Sequence, residues 1–262
     1  MTDAVLVSID DRGVAELRLN RAELHNAFDD SLIRELTHQL QTLQSNPVVR
    51  VLVLSAEGKS FSAGADLNWM KRMANYSEAQ NLADAMDLAG LMHTLHCLRV
   101  PTIARVQGAA FGGGVGLVAC CDMVVASDSA SFCLSEVKLG LIPAVISPYV
   151  IGKLSASQAR RYFLTAERFD AVTAQRLGLV HEVVAADQLD DQVNNWIKLL
   201  LANGPHAIAA AKSLIERVSH APIDETLIHD TAQRIANIRA SQEGKEGLSA
   251  FLEKRPPAWV KQ

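Results

Sequence analysis

The sequence is poor in cysteine, in aromatic residues and in anything that reads as a membrane or nucleic-acid surface. No run of about eighteen apolar residues occurs, which argues against a membrane-spanning helix. The N-terminal Met1-Thr-Asp-Ala-Val-Leu-Val7 lacks a basic segment, and Asp3 argues against an Arg-rich transit peptide. The four cysteines, Cys97, Cys120, Cys121 and Cys133, show neither CxxC spacing nor the density of a disulfide scaffold. They read as reduced, mostly buried small hydrophobes, and the expected location is the cytoplasm. Lys and Arg are not clustered, no basic run is interleaved with aromatics, and the net charge is −4. Neither a membrane nor nucleic acid is an expected partner.

Several catalytic motifs are also missing. Gly58-Lys-Ser-Phe-Ser62 lacks the second glycine of a nucleophile elbow, and no Gly-x-x-x-x-Gly-Lys-Ser/Thr phosphate loop is present. His93 and His96 share a helical spacing but have no further clustered ligand, so no metal is expected. There is no internal repeat and no low-complexity tract.

What is there is a chain of 262 residues, 49% hydrophobic and 21% charged, long enough to bury a substantial core. Residues 4–9 and 14–19 read as a hairpin around Asp10-Asp-Arg-Gly13. Asp29 or Asp30 caps a predicted helix whose Leu32, Ile33, Leu36, Leu40 and Leu43 recur at helical spacing. Strands at 50–54, 102–106 and 122–126 alternate with helices over 77–97 and 113–121, which makes an α/β sheet. From 155 onward the segments 155–164, 187–203, 205–219, 223–240 and 243–252 all read helical, with Gly204-Pro205 as the clearest punctuation. The expected organisation is an α/β core over 1–190 carrying the site, then a helical C-terminal oligomerisation region over 191–262.

Two glycine-rich segments stand out: Phe61-Ser-Ala-Gly-Ala-Asp-Leu67 and Gly108-Ala-Ala-Phe-Gly-Gly-Gly-Val-Gly116. Each follows a β-branched apolar run and leads into a helix-like stretch. Glycine admits close backbone approach, and free N–H groups at a helix start hold negative charge. Taken alone, each is equally a tight strand-to-helix turn. Together they place two N–H donors on one oxygen, which is an oxyanion hole.

With their surroundings, these segments resemble the crotonase (enoyl-CoA hydratase/isomerase) superfamily, which acts on acyl-CoA thioesters. Asn20-Arg21 with Asn26-Ala27, the run Phe61–Asp66, the run Gly108–Asp122, Glu136-Val-Lys-Leu-Gly-Leu-Ile-Pro143 and Leu164–Ala171 with Gly178-Leu-Val180 match its motifs in order. Ala22 departs from the usual proline. The resemblance covers nearly the whole chain. It implies a spiral of ββα turns, with C-terminal helices that build a trimer or a dimer of trimers.

The resemblance also assigns residues. Ala65 and Gly113 would offer the oxyanion N–H groups, and Glu136 would be the acid/base. Ala63, Asp66 and Leu67 would lie along coenzyme A. Phe251 and Lys254 would reach the CoA phosphates from a neighbouring subunit, although Lys254 reads equally as a solvated charge. No separate cofactor is implied, since coenzyme A is part of the substrate. Leu134, Val137, Leu139 and Ile142 are expected to bury Glu136 and raise its pKa toward neutrality. Trp69, Met70 and Met73 read equally as an acyl-pocket lining or as core.

Two departures shape the functional expectation. Hydratases of this superfamily usually carry a second glutamate where this chain has Gly116. Glycine inside a helix costs about 0.8–1.0 kcal/mol relative to alanine, so helix stability does not explain it. Either a bulky acyl group needs the space, or one base is enough. Ala144-Val-Ile-Ser-Pro-Tyr149 replaces the usual glycine-rich stretch. It is similar to bacterial methylglutaconyl-CoA and isohexenylglutaconyl-CoA hydratases, whose substrates are 3-branched and carry a second carboxylate. The implied activity is hydration of such an enoyl-CoA or the reverse. A Δ3,Δ2-enoyl-CoA isomerase is the alternative, and a non-catalytic CoA-binding protein is a third. Lys138, Arg72 and His25 are candidate partners for a distal carboxylate.

Overall fold

A computed structural model describes residues 3–219 and 221–260. Met1 and Thr2, part of the stretch read for targeting signals, lie outside the described residues, as do His220, Lys261 and Gln262.

The chain opens with a hairpin, β1 (Val5–Ile9) and β2 (Val14–Leu19). Asp10 closes its turn by accepting the N–H groups of Arg12 and Val14. Helix α1 (Asp30–Ser45) is N-capped by Asp29, whose carboxylate accepts from Leu32 N–H, and it buries the five apolar residues that set its period. After it come β3 (Val51–Ala56), the short α2 (Leu67–Met73) and α3 (Glu78–His96), the last opened by a Ser77/Gln80 capping box. Next are β4 (Thr102–Val106), β5 (Ala109–Phe111), α4 (Gly113–Cys120), β6 (Met123–Ser127) and β7 (Ser131–Cys133). A single 3-10 turn over Glu136–Leu139 precedes α5 (Ser147–Thr165). Then follow β8 (Phe169–Asp170), α6 (Ala171–Leu177) and β9 (Glu182–Val184).

The large sheet runs β1-β2-β3-β4-β6-β9, parallel throughout except for the β1–β2 hairpin. Both faces are covered, as a parallel sheet requires. Leu52 and Leu54 face the cluster formed with α1, α3 and α4. Val51 and Val53 face the other way, against Leu189, Val193 and Ile197. Those three residues belong to α7 (Leu189–Leu201), which crosses the expected boundary at 190 and packs on the sheet. A small second sheet runs β5-β7-β8. Its strands are two or three residues long and carry no period that a sequence pattern could show.

Helices α8 (Pro205–Val218), α9 (Glu225–Ala240) and α10 (Gln242–Leu252) form the C-terminal region. The Glu243 carboxylate accepts the N–H groups of His206 and Ala207, and so holds α10 against the start of α8. Ile223, Ile228, Leu248, Phe251 and Leu252 remain exposed on this region. Helix α5 starts eight residues before the expected 155 and is broken at Ser155, whose φ of 67° and ψ of 156° are non-helical. Pro148 in its first turn suits the earlier start.

Candidate active site

The two glycine loops are built side by side by hydrogen bonds that the sequence motifs supply. Asn26, fully buried with φ 53°, donates its amide to the carbonyls of Glu57 and Ser60 and accepts the N–H of Arg21. Arg21 in turn pairs with Asp29 at 2.7 Å. The Asn-Arg…Asn-Ala motif is therefore a clamp on the entry to the first loop. From there Ser62 N–H donates to Ala109 O, and Phe111 N–H donates to Ser62 O, which lays the first loop along β5.

Ala65 sits in a parallel bridge with Phe28: Phe28 N–H donates to Gly64 O and Asp66 N–H to Phe28 O, both at 2.7 Å. In that geometry the N–H of Ala65 points away from Phe28, and no acceptor meets it. Gly113 is the first residue of α4, and its N–H, like that of Ala65, meets no acceptor among the described residues. Gly112 N–H, by contrast, is spent on Cys133 O. Two unspent donors stand at the junction of the loops.

Glu136 closes the site. A Cβ placed on Gly112 would stand 3.3 Å from Glu136 Oε1 and 3.9 Å from Gly64 Cα, so carboxylate, helix start and first loop meet at one point. Gly112 also has φ 51°, which only glycine adopts cheaply. Glu136 Oε2 is buried and has no hydrogen-bond partner, and burial pushes the carboxyl above its ordinary value. Of the residues expected to bury it, Leu134 is fully buried and Val137 half-buried, but Leu139 at the end of the 3-10 turn and Ile142 beyond it are 57% and 73% exposed.

The other expected residues fall into three groups. Ala63, Ala65 and Leu67 are exposed, alternating with buried Ser62, Gly64 and Asp66. Asp66 uses its carboxylate to cap α2 through Asn68 and Trp69 N–H, so its side chain is occupied. Phe251 and Lys254 lie far from the loops within one chain: α10 packs on α8 and α9, and Trp259 O beyond it binds Arg50 at the start of β3, whereas the loops follow the strand ends. Trp69 and Met73 belong to the core. His93 lies against Cys97, and His96 against Tyr149 and Glu216.

Gly116 is not a vacancy. A Cβ there would lie 3.0 Å from both Ile146 Cβ and Met92 Cε, and closer still to Ile146 Cγ2. The expectation that this position leaves room for a branched acyl group is overturned. The space is filled by a side chain from the other departing segment, Ala144–Tyr149. Sequence reasoning found both departures but not that one fills the other. Of the candidate carboxylate partners, Arg72 is paired with Asp30 and His25 Nδ1 is bonded to Ser60 Oγ. Lys138 makes no ion pair among the described residues.

A pair of free backbone donors with a buried carboxylate against them is a site for a carbonyl that becomes enolate-like. A sequence profile described as enoyl-CoA hydratase/isomerase matches residues 10–262. The chain belongs to this family. It is 49% identical to an enoyl-CoA hydratase from Shewanella pealeana, with TM-score 0.95 over 98% of this chain and 96% of that one. AtuE of Pseudomonas aeruginosa is 33% identical with TM-score 0.95, covering 99% and 100%. The 2,3-dehydroadipyl-CoA hydratase of Escherichia coli K12 is 32% identical over 242 residues, 92% of each chain. The protein is a crotonase-superfamily enzyme with the crotonase fold, a mixed α/β core and a helical C-terminal region. Among its described residues no helix is long and apolar enough to cross a membrane.

Proposed function

We propose that the enzyme adds water to a 3-branched enoyl-CoA, or removes it from the 3-hydroxyacyl-CoA, with Glu136 as its one acid/base. The thioester oxygen accepts the N–H groups of Ala65 and Gly113. Glu136, as carboxylate, takes a proton from water while the oxygen bonds to the β-carbon. The pair of electrons from the double bond moves to the α-carbon and thioester oxygen, where the two donors stabilise it. Glu136 then returns the proton to the α-carbon. Removing one such donor typically costs about 3–4 kcal/mol of transition-state stabilisation.

The observation that carries this reading is the closeness of Glu136 Oε1 to the start of α4, 3.3 Å from a Cβ built on Gly112, beside an Oε2 with no partner among the described residues. The acyl class rests on the likeness of Ala144–Tyr149 to methylglutaconyl-type hydratases. The substrate named for the Escherichia coli relative is an unbranched dicarboxylic thioester, which supports the second carboxylate and not the branch. The exposed apolar residues of α9 and α10 fit a trimer or dimer of trimers, in which Phe251 and Lys254 of one copy serve coenzyme A in the next. A cytoplasmic location goes with this reading.

One observation favours a second reading, double-bond isomerisation. Ile146 and Met92 present apolar groups where another water ligand would be needed. Incubation with 3-methylglutaconyl-CoA, crotonyl-CoA and a 3-enoyl-CoA, followed by mass, separates the two. A gain of one water on the branched substrate supports hydration. An isomer of unchanged mass supports isomerisation, and no reaction on any thioester contradicts both.

A further inference from the structure

The small sheet lines up one row of residues beneath the site. Ser62 pairs with Ala110, so Ala63 stands beside Phe111. Phe111 pairs with Cys133 across β5 and β7. The antiparallel register of β7 on β8, Phe132 with Phe169, continues to set Arg168 opposite Cys133. Alternate residues of a strand share a face. The row Ala63–Phe111–Cys133–Arg168 therefore shares the face opposite to Ala110, Phe132 and Phe169, with Ala63 and Arg168 exposed at its ends and Cys133 buried within it. Ala65 shares the parity of Ala63, and both are exposed. Phe111 of this row directly precedes Gly112, where a built Cβ would stand 3.3 Å from Glu136 Oε1.

Arg168 reaches back along this row. Its guanidinium carbon lies 4.8 Å from the centre of the Phe111 ring, a distance at which the ring face attracts a cation. Phe111 O and Cβ in turn lie 3.4 and 4.0 Å from a Cβ built on Gly64, so the ring belongs to the wall of the oxyanion loops. Lys138, Arg168 and Glu136 all act on the buried Cys133 thiol, which places their charges in one neighbourhood. Other arginines are held in ion pairs: Arg21 on Asp29, Arg72 on Asp30, Arg105 on Asp190 and Arg161 on Glu167. Arg168 makes no hydrogen bond and no ion pair with any described residue.

A guanidinium fixed by a ring and left with its donors free is suited to bidentate capture of a carboxylate. We propose that Arg168 takes the carboxylate at the far end of the acyl chain, which makes the preferred substrate the CoA thioester of a dicarboxylic enoyl acid. This rests on the enoyl-CoA reading above and adds to it the residue that selects the acyl group. Arg168 was not among the candidates that the sequence offered, because its pairing with Phe111 arises only from the two-residue strand β8.

The test compares binding of two unreactive saturated thioesters, 3-methylglutaryl-CoA and isovaleryl-CoA, which share the branch but differ in the carboxylate. Wild type is expected to favour the diacid by about tenfold or more, the ordinary weight of a charge-assisted pair. Arg168→Gln should abolish that preference while leaving isovaleryl-CoA affinity within twofold. Arg168→Lys should keep part of it, and Lys138→Gln should keep it all. An unchanged preference in Arg168→Gln overturns the proposal. So does an equal loss for both thioesters, which marks a folding role or a contact with an acidic residue of a second copy. Turnover is read separately: if wild type converts no thioester yet the binding preference vanishes in Arg168→Gln, the reaction fails and the carboxylate site stands.

Discussion

Ile146 occupies the space that a side chain at residue 116 would need. Its Cβ lies 3.0 Å from a Cβ built on Gly116, and Met92 Cε lies equally near. The glycine in α4 is thus a packing requirement of the segment before α5. Gly116 stands one turn along α4 from Gly112, the residue whose built Cβ would face Glu136 Oε1.

Gly116→Ala is accordingly expected to destabilise the fold by about 1–3 kcal/mol, the usual cost of overpacking a filled core. Urea unfolding measures it. Gly116→Glu should be worse, since it forces a carboxylate between Ile146 and Met92. Pairing Gly116→Ala with Ile146→Ala should recover part of the loss. A Gly116→Ala variant as stable as wild type would show that the space is open after all.

The clamp on the first loop gives a second prediction. Asn26→Ala leaves two carbonyls, the half-buried Glu57 O and the buried Ser60 O, without their amide donor, and forces alanine into a left-handed conformation. A loss of about 3 kcal/mol is expected, with a fall in kcat as the Ala65 N–H loses its aim. Unfolding and steady-state kinetics on one preparation check it. A drop in stability with kcat intact would detach the clamp from the site.

A third prediction concerns pH. His181 Nδ1 accepts the N–H of Val124 at 3.1 Å, which requires the unprotonated nitrogen. Burial, then the charge of Lys153, holds its pKa below 6.5, against a smaller pull from Asp122. Between 6.5 and the lowered value the unfolded chain binds more protons than the folded one. Stability therefore falls as pH drops through that window. His181→Gln should be less sensitive than wild type to a shift from pH 7 to 5.5 in thermal melts. Parallel curves would remove His181 as the source.

Much of this was legible in the sequence, for identifiable reasons. Helix α1 announces itself through five apolar residues at helical spacing and Asp29 before them, and β3 through an unbroken apolar run. The glycine loops and Glu136 are visible because their chemistry depends on local backbone and one side chain. Sheet β5-β7-β8 was not legible, because three residues carry no pattern. Helix α5 was misplaced because its break falls at Ser155, a left-handed residue that is not glycine. The role of Ile146 was hidden for a different reason: it packs on a residue that lies far away in sequence.

In the proposed reaction Glu136 alone handles the proton. Its carboxyl is raised above 4.5 by burial, and in that proposed reaction it acts first as the carboxylate. The acid limb of kcat/KM should therefore fall away at a pH above 4.5. The decisive measurement is Glu136→Gln with the preferred thioester, reading turnover and binding together. A fall in kcat of about a thousandfold or more with Kd changed less than a few-fold is expected, since the amide keeps the shape and cannot carry the proton. Turnover within tenfold of wild type in Glu136→Gln would contradict it.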